Sequence, residues 1–162
     1  MTSAVSGGIL LFRRRDRAVE VLLAHPGGPY WANRDAGAWT LPKGVAEEGE
    51  ELVAVAIREF AEETGFDLAT VAADPTAPPV SLGDVTLKSG KVVHGWAVEG
   101  DLDPADATSN DAEVEWPPRS GKRIKVPEID RVAWFEPDEA RVRAHPAQAA
   151  FVDRLEAALG DS

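Results

Sequence analysis

Short apolar runs, separated by polar or Gly- and Pro-rich segments, recur along the chain. Runs of this length predict strands, and a charged or Ser-Gly segment between two of them predicts a turn. The predicted strands are residues 9–12 and 19–24 around RRRDRA, residues 80–87 and 91–98 around Ser89-Gly90, and residues 131–135, with a brief strand-like piece in WTLP at 39–42. The stretch HPGGPYWANRDAGA is rich in glycine and proline and predicts a loop.

Helical spacing of apolar residues replaces the strand pattern in three segments. In residues 50–64, Val53, Ile57 and Phe60 fall on one side at about 100° per residue, with Thr64 beside them, and this stripe is predicted to pack on the sheet. The residues predicted to cap this helix at its two ends are Gly49 and Gly65. Two further helices are predicted, at residues 137–144 and 146–159.

The order of these elements predicts the fold class. Strands, one central helix, more strands and closing helices indicate an α/β protein whose mixed central sheet is covered by helices on both faces. Residues 100–128 interrupt this order, because their prolines, mixed charge and few apolar residues predict a long irregular excursion. A chain of 162 residues is predicted to form a single domain, residues 1–162.

The charge of the chain restricts its partners. A net charge of −11 argues against binding to nucleic acid or to an anionic membrane, which both favour basic surfaces, unless a divalent cation intervenes. The absence of cysteine excludes disulfides and thiolate metal ligands. The first apolar run is too short for a signal peptide, and no segment has the length needed to span a bilayer, so a cytoplasmic protein is expected.

Three glutamates of the central helix converge on one side. Glu59, Glu62 and Glu63 are related by spacings of three and four residues, which place their carboxylates within one arc of the helix. A solvated acidic face is the ordinary interpretation of such a cluster. However, Leu52 and Val55 share this side, and little positive charge alternates with the glutamates. Converging carboxylates beside apolar side chains favour a site for Mg²⁺ or Mn²⁺.

The same segment resembles the signature of the Nudix hydrolases along its full length. That signature has Gly, five residues, Glu, seven residues, and then Arg-Glu-apolar-x-Glu-Glu-x-Gly-apolar. The matching residues here are Gly44, Glu50, Arg58, Glu59, Phe60, Glu62, Glu63, Gly65 and Phe66. The resemblance implies an α/β/α sandwich that hydrolyses a nucleoside diphosphate linked to another moiety, with Mg²⁺ as cofactor and Mn²⁺ as substitute.

The resemblance also implies roles for individual residues. Glu59, Glu62 and Glu63 would hold the metal together with a backbone carbonyl of Lys43 or Gly44. Glu50, Arg58 and Gly65 would be structural, the first two as an internal ion pair. A further carboxylate from a downstream loop is expected to be Glu128, with Glu113 and Glu115 as alternatives. The general base stays open among Glu62, Glu63 and Glu128.

Substrate contacts are expected from aromatic and basic residues. Trp31 and Trp39 are candidates for stacking on a base, although both could instead be core or loop-anchoring residues. Lys43, Arg119 and Lys122 are candidates for phosphate contacts, although the last two could lie on a solvated loop. His25 and His94 show no partner in the sequence and are interpreted as structural.

The segment that precedes the glutamate helix bears on the substrate class. The segment WTLPKG resembles members acting on dinucleoside polyphosphates, and also members acting on oxidised nucleotides. The downstream tyrosine of the dinucleoside branch is missing, since the single tyrosine, Tyr30, lies upstream. The alternatives are an ADP-ribose or nucleotide-sugar pyrophosphatase and a non-catalytic nucleotide-binding module. The protein is expected to be a monomer or a homodimer.

Overall fold

The computed structural model describes residues 4–160 and contains a six-stranded mixed sheet. Its strands are β1 (Val5–Arg15), β2 (Ala18–Pro26), β3 (Lys43–Val45), β4 (Val80–Thr86), β5 (Val92–Glu99) and β8 (Ile129–Phe135). The strand order is β4-β5-β1-β2-β8, and β3 pairs with the first part of β1. Strands β1 and β5 run parallel, whereas the other neighbours are antiparallel.

Helices cover both faces of this sheet. The helices are α1 (Leu52–Thr64), α2 (Leu68–Val71), α3 (Pro137–Arg143) and α4 (Ala149–Gly160). Successive residues of β1 point to opposite faces, so Ile9 and Leu11 enter the core beneath α1, while Leu10 and Phe12 enter the core beneath α4. The predicted α/β/α sandwich with a mixed central sheet is therefore confirmed. Within residues 4–160, no helix combines the length and hydropathy needed to cross a membrane.

The rotation of helix α1 differs from the prediction. Its fully buried residues on the sheet side include Ala56, Phe60 and Thr64, whereas Ile57 is 36% exposed. The predicted stripe is therefore confirmed at Phe60 and at the adjoining Thr64 and is wrong at Ile57, while Val53 is half-buried. The reason is a close backbone contact, because a Cβ on Gly7 of β1 would lie 2.6 Å from the carbonyl oxygen of Leu52.

The start of α1 also differs from the prediction. The N-terminal cap is Glu51, with an extended backbone and no capping hydrogen bond from its side chain, so the assignment of Gly49 was wrong. Gly49 instead has a φ of +84° in the turn before the helix.

Residues 100–128 are more regular than predicted. They contain a short 3₁₀ helix, Pro104–Asp106, and a separate two-stranded antiparallel hairpin of β6 (Asp111–Glu115) and β7 (Arg123–Pro127). In the hairpin only alternate residues such as Val114 and Val126 are half-buried. The hairpin therefore needs few apolar residues, and its sequence lacks the apolar pattern by which a strand is predicted.

Candidate functional site

The glutamates of α1 pack against strand β3. Gly44 leaves space for the Glu59 side chain, since a Cβ at Gly44 would lie 2.0 Å from the Glu59 carboxyl carbon. The backbone N–H of Lys43 donates to Glu63 Oε1 at 3.3 Å. The loop that precedes the helix therefore folds back onto the carboxylates at the other end of the same segment.

Burial and mutual repulsion disfavour the charged form of these carboxyls. Burial is the largest cause of a Glu63 pKa raised from 4.5 to about 8, and the charges of Glu59 and Glu128 raise it further. Lys43 opposes this shift through its charge and its backbone hydrogen bond. The pKa of Glu59 is also raised, mainly by burial and then by the charge of Glu62. Four carboxyls are therefore coupled electrostatically, and a cation among them would relieve the repulsion.

Arg58 lies beside this cluster. It pairs with Glu50 in a very short contact, and its guanidinium is 3.6 Å from Glu59 Oε1 and 3.9 Å from Glu62 Oε1. Glu50 also accepts a hydrogen bond of 2.8 Å from the Glu47 N–H. The Glu47 bond and then Arg58 lower the pKa of Glu50. The ion pair of Glu50 and Arg58 is thus present and links the loop before α1 to the middle of the helix.

Backbone hydrogen bonds bring Glu128 to the same region. Residues 107–110 run beside the end of α1, where the Thr108 N–H donates to Thr64 O at 2.9 Å and the Asn110 N–H donates to Glu62 O at 3.2 Å. The Glu128 N–H in turn donates to Asn110 O at 2.8 Å. Its carbonyl accepts from the Gly27 N–H at 3.0 Å. The backbone of Glu128 is therefore fixed relative to the helix that carries the other glutamates.

The alternative carboxylates lie elsewhere. Glu113 and Glu115 are exposed residues of β6, paired across the hairpin with Lys125 and Arg123. Neither contributes to the pKa shift of Glu63, whereas Glu128 does. Of these three residues, Glu128 is therefore the one whose charge acts on the α1 glutamates.

Gly65 ends the helix in a way that only glycine permits. Its φ is +80°, and its N–H donates to Ala61 O at 2.8 Å. A Cβ at this position would lie 2.2 Å from Thr108 Oγ1 and 3.0 Å from Thr108 O. Both the left-handed conformation and the close approach of residues 107–110 therefore require glycine here.

The donor set of the cluster fits a hard divalent cation. Within residues 4–160, no three Asp, Glu, His or Cys side chains are grouped closely enough to hold an ion as they are placed. Two of the carboxylates are instead directed toward Arg58. Carboxylate and carbonyl oxygens are the ligands that Mg²⁺ prefers. Burial disfavours the charged form of Glu63, and a bound cation would offset this cost.

The two tryptophan candidates have different surroundings. Trp39 is only 2% exposed, its indole N–H donates to Asp35 Oδ1 at 2.7 Å, and its ring contacts His25 and Phe135 edge-on. It belongs to the core, and its assignment as a base-stacking residue is corrected. Trp31 is half-buried at the surface of the loop, with Tyr30 edge-on at 4.9 Å.

The basic candidates of the hairpin lie away from the glutamates. Arg119 and Lys122 are exposed in the turn between β6 and β7. Lys122 precedes Glu128 by six positions, which along an extended strand corresponds to about 20 Å. Only Lys43, among the predicted basic contacts, lies directly beside the glutamate cluster.

Both histidines that lacked a visible partner are engaged. His25 is fully buried between the Asp130 carboxylate, at 2.9 Å, and the Arg34 carbonyl, at 2.6 Å. His94 contacts Asp84 through Nδ1 and Ser81 through Nε2, the latter at 2.7 Å. Their structural interpretation agrees with these contacts.

A cavity of about 220 Å³ opens beside Glu63. Its other walls are residues 107–109, from the segment along α1, and residues 127 and 129–132, from the end of β7 and the start of β8. Arg131 also lines this cavity, but its guanidinium packs over the ring of Trp39, which belongs to the core beneath α4.

The fold and this acidic helix define the class of the protein, and comparison with known proteins gives the same class. A family profile described as the NUDIX domain matches residues 2–155, so the chain belongs to that family. Nudix hydrolase 10 of Arabidopsis thaliana is 59% identical over 32 residues, which are 20% of this chain. The match spans only 12% of that relative.

Solved structures show the same fold over nearly the whole chain. The Ap4A hydrolase of C. elegans, in a binary complex, is 21% identical, with 98% of this chain and 99% of that chain covered and a TM-score of 0.67. The NUDIX domain of NrtR from Shewanella oneidensis, complexed with ADP ribose, is 17% identical, with 98% and 90% covered and a TM-score of 0.66. At these identities the likeness shows the fold alone.

Proposed function

We propose that this protein is a pyrophosphohydrolase that uses Mg²⁺, or Mn²⁺ as a substitute, to cleave a pyrophosphate bond in a nucleoside diphosphate linked to another moiety. The observation that carries this proposal is the convergence of Glu59, Glu62 and Glu63 with Glu128, whose backbone is held to α1 through Asn110. Membership in the NUDIX domain family and the named hydrolases among its relatives support the same reaction.

The burial of each carboxylate suggests its role. Glu59 and Glu63 are the more buried members and lie against β3, so they are proposed as metal ligands together with Glu62 and a backbone carbonyl of Lys43 or Gly44. A bound divalent ion would neutralise phosphate charge and lower the pKa of a bound water. One carboxylate must then accept the proton of the attacking water.

The contacts of Glu63 reduce the number of candidates for the proton acceptor. One Glu63 oxygen is already occupied by the Lys43 N–H, and burial disfavours the charged form of the carboxyl. Glu62 is 41% exposed, and Glu128 is an exposed residue at the end of β7. We therefore propose Glu62 or Glu128 as general base and give Glu63 a ligand role.

For the substrate, we favour a dinucleoside polyphosphate or a nucleoside triphosphate, including oxidised forms. Lys122 lies roughly 20 Å from Glu128 along the hairpin, so only an extended substrate would reach both Lys122 and the glutamates. Trp31 is the remaining candidate for stacking on a base. The fold shared with an Ap4A hydrolase supports this choice, although the fold shared with an ADP-ribose-binding domain keeps ADP-ribose as an alternative.

The test is a turnover assay with Mg²⁺ on dinucleoside polyphosphates, normal and oxidised triphosphates, ADP-ribose and nucleotide sugars. We expect Glu59→Gln, Glu63→Gln and Glu128→Gln each to lower kcat by at least about 100-fold, because each removes a carboxylate from the reacting centre. Glu48→Gln, at an exposed position in the turn before α1, is the matched control and should retain the wild-type rate.

Two outcomes would contradict the proposal. Wild-type rates in Glu59→Gln and Glu63→Gln would show that the α1 carboxylates do not form the active centre. Binding of nucleotide without product release under any metal condition would instead identify a non-catalytic nucleotide-binding module. A cytoplasmic location, a single domain and a monomeric or homodimeric state stay predictions.

A further inference from the structure

Strands β4 and β5 carry a chain of three hydrogen-bonded polar side chains. Ser81 Oγ lies 2.7 Å from His94 Nε2, and His94 Nδ1 contacts Asp84 Oδ1 in a very short hydrogen bond. These contacts agree with a structural role, but their order is also the one in which an imidazole joins a nucleophilic hydroxyl to a carboxylate. Strand β4 forms an edge of the sheet, and both Ser81 and Asp84 are exposed on it.

An irregularity in the pairing of the two strands brings Asp84 into this chain. Ser81 lies opposite Trp96, so regular antiparallel pairing would put Gly83 opposite His94. The register shifts between Ser81 and Asp84, and Asp84 takes that place instead. Without the shift, residues three apart on a strand point to opposite faces of the sheet, and the hydroxyl and the carboxylate could not reach the same imidazole.

The hydrogen bonds determine which nitrogen of His94 accepts a proton. A carboxylate only accepts hydrogen bonds, so Nδ1 is the protonated nitrogen and Nε2 is the acceptor in the neutral ring. Ser81 Oγ accepts from the Gly83 N–H at 3.2 Å, which leaves its own hydrogen directed toward Nε2. The Trp96 ring lies against the imidazole, with 4.2 Å between the ring centroids. His94 is therefore oriented to take the proton of the Ser81 hydroxyl.

We infer that Ser81 is an activated nucleophile that accepts an acyl group from an activated ester. Its Oγ forms a bond to the carbonyl carbon of the ester while its proton passes to His94 Nε2. The bond between that carbon and the ester oxygen then breaks, and Nε2 returns the proton to the departing alcohol, which leaves an acyl ester on Ser81. Asp84 keeps its charge and stabilises the imidazolium as a positioning residue. This reaction uses none of the α1 glutamates, so it does not depend on the proposed function.

The experiment measures the initial rate at which p-nitrophenyl acetate acetylates Ser81, by acid quench and peptide mass spectrometry. A parallel reaction uses an alkyl fluorophosphonate, whose adduct with serine remains measurable even where an acetyl ester is hydrolysed. Ser120 is the internal control, because it is also exposed and its Oγ also accepts a backbone hydrogen bond, from the Lys122 N–H at 3.1 Å. Among the described residues, no histidine is hydrogen-bonded to Ser120.

We expect Ser81 to be labelled at least about 100-fold faster than Ser120, because a positioned general base contributes roughly this factor. His94→Gln should remove the difference, whereas His145→Gln, a matched change at a half-buried histidine outside this chain of contacts, should retain it. The amide of Asp84→Asn can donate to Nδ1 and favour the wrong tautomer, so labelling of Ser81 should fall at least about tenfold. Asp84→Glu should recover part of the rate.

Equal labelling of Ser81 and Ser120 by both reagents would overturn the inference. Faster labelling of Ser81 that His94→Gln and Asp84→Asn leave unchanged would also overturn it, because exposure alone would then explain the reactivity. Urea denaturation of each variant separates loss of the general base from loss of the fold. Recovery of labelling in Asp84→Glu supports the inference independently, since an unfolded chain would not distinguish glutamate from asparagine at this position.

Discussion

Gly65 both ends helix α1 and faces residues 107–110, so alanine at this position perturbs the helix end and the connection to Glu128. A left-handed residue with a Cβ costs roughly 1–2 kcal/mol, and the φ of Gly65 is +80°. The added Cβ would also lie 2.2 Å from Thr108 Oγ1, and overpacking of this kind costs about 1–3 kcal/mol. We therefore expect Gly65→Ala to lower the free energy of unfolding by about 3 kcal/mol.

Gly49 provides a matched control for the backbone conformation. Its φ is +84°, but a Cβ at Gly49 would have no neighbour within 4 Å. Gly49→Ala should therefore lose only about 1 kcal/mol. The double variant Gly65→Ala/Thr108→Ala removes the nearest clashing atom, so it should recover part of the stability lost in Gly65→Ala. Urea denaturation measures all three effects.

The same substitution should also reduce activity. A displaced Thr108 moves Asn110, whose carbonyl accepts from the Glu128 N–H at 2.8 Å. We expect kcat to fall at least about tenfold in Gly65→Ala, because misplacement of a catalytic group by 1 Å reduces rates strongly. Gly49→Ala should retain the wild-type kcat. Equal losses of stability in the two single glycine variants would refute the steric reasoning, and wild-type kcat in Gly65→Ala would refute the link to Glu128.

The remaining predictions concern Glu63 and Trp39. The folded-state pKa of Glu63 is raised from 4.5 to about 8 by burial and by Glu59 and Glu128, against the opposing charge of Lys43, so the folded protein binds more protons than the unfolded chain in this window. The stability of the wild type in EDTA should therefore fall as the pH rises from 5 to 8, by about 3 kcal/mol more than the stability of Glu63→Gln. Urea denaturation at each pH measures both free energies of unfolding. An equal dependence on pH in the two proteins would contradict the prediction. Trp39→Phe removes a buried indole N–H and its bond to Asp35, so it should lower the free energy of unfolding by about 2 kcal/mol without changing KM. A large rise in KM would restore Trp39 as a substrate contact.

The sequence predicts most of the elements, because each depends on local pattern. Strands β4 and β5 follow from apolar runs on either side of Ser89-Gly90, and the end of α1 follows from Gly65. The rotation of α1 does not follow, because apolar residues stand on more than one side of the helix. The close approach of β1 at Gly7 selects the buried side, and this contact lies far away in the sequence.

The candidate site also has one part that the sequence predicts and another part that it does not. Glu59, Glu62 and Glu63 belong to one helix, so their convergence is visible in their spacing. Glu128 is brought to them by hydrogen bonds through Asn110. This relation is not encoded in spacing, and only the resemblance to a known family pointed to Glu128. Trp39 could not be placed, since a tryptophan has the same sequence signature in a core and in a binding site.

Helix α1 meets its neighbours at three points where a side chain would not fit. These are the Gly7 contact with the Leu52 carbonyl, the Gly44 contact with Glu59 and the Gly65 contact with Thr108. Four stretches of backbone are consequently locked to one another at distances shorter than a methyl group allows. The exposed turn of the β6–β7 hairpin stands outside this rigid frame, so it is free to change in length and charge without disturbing the carboxylates of α1.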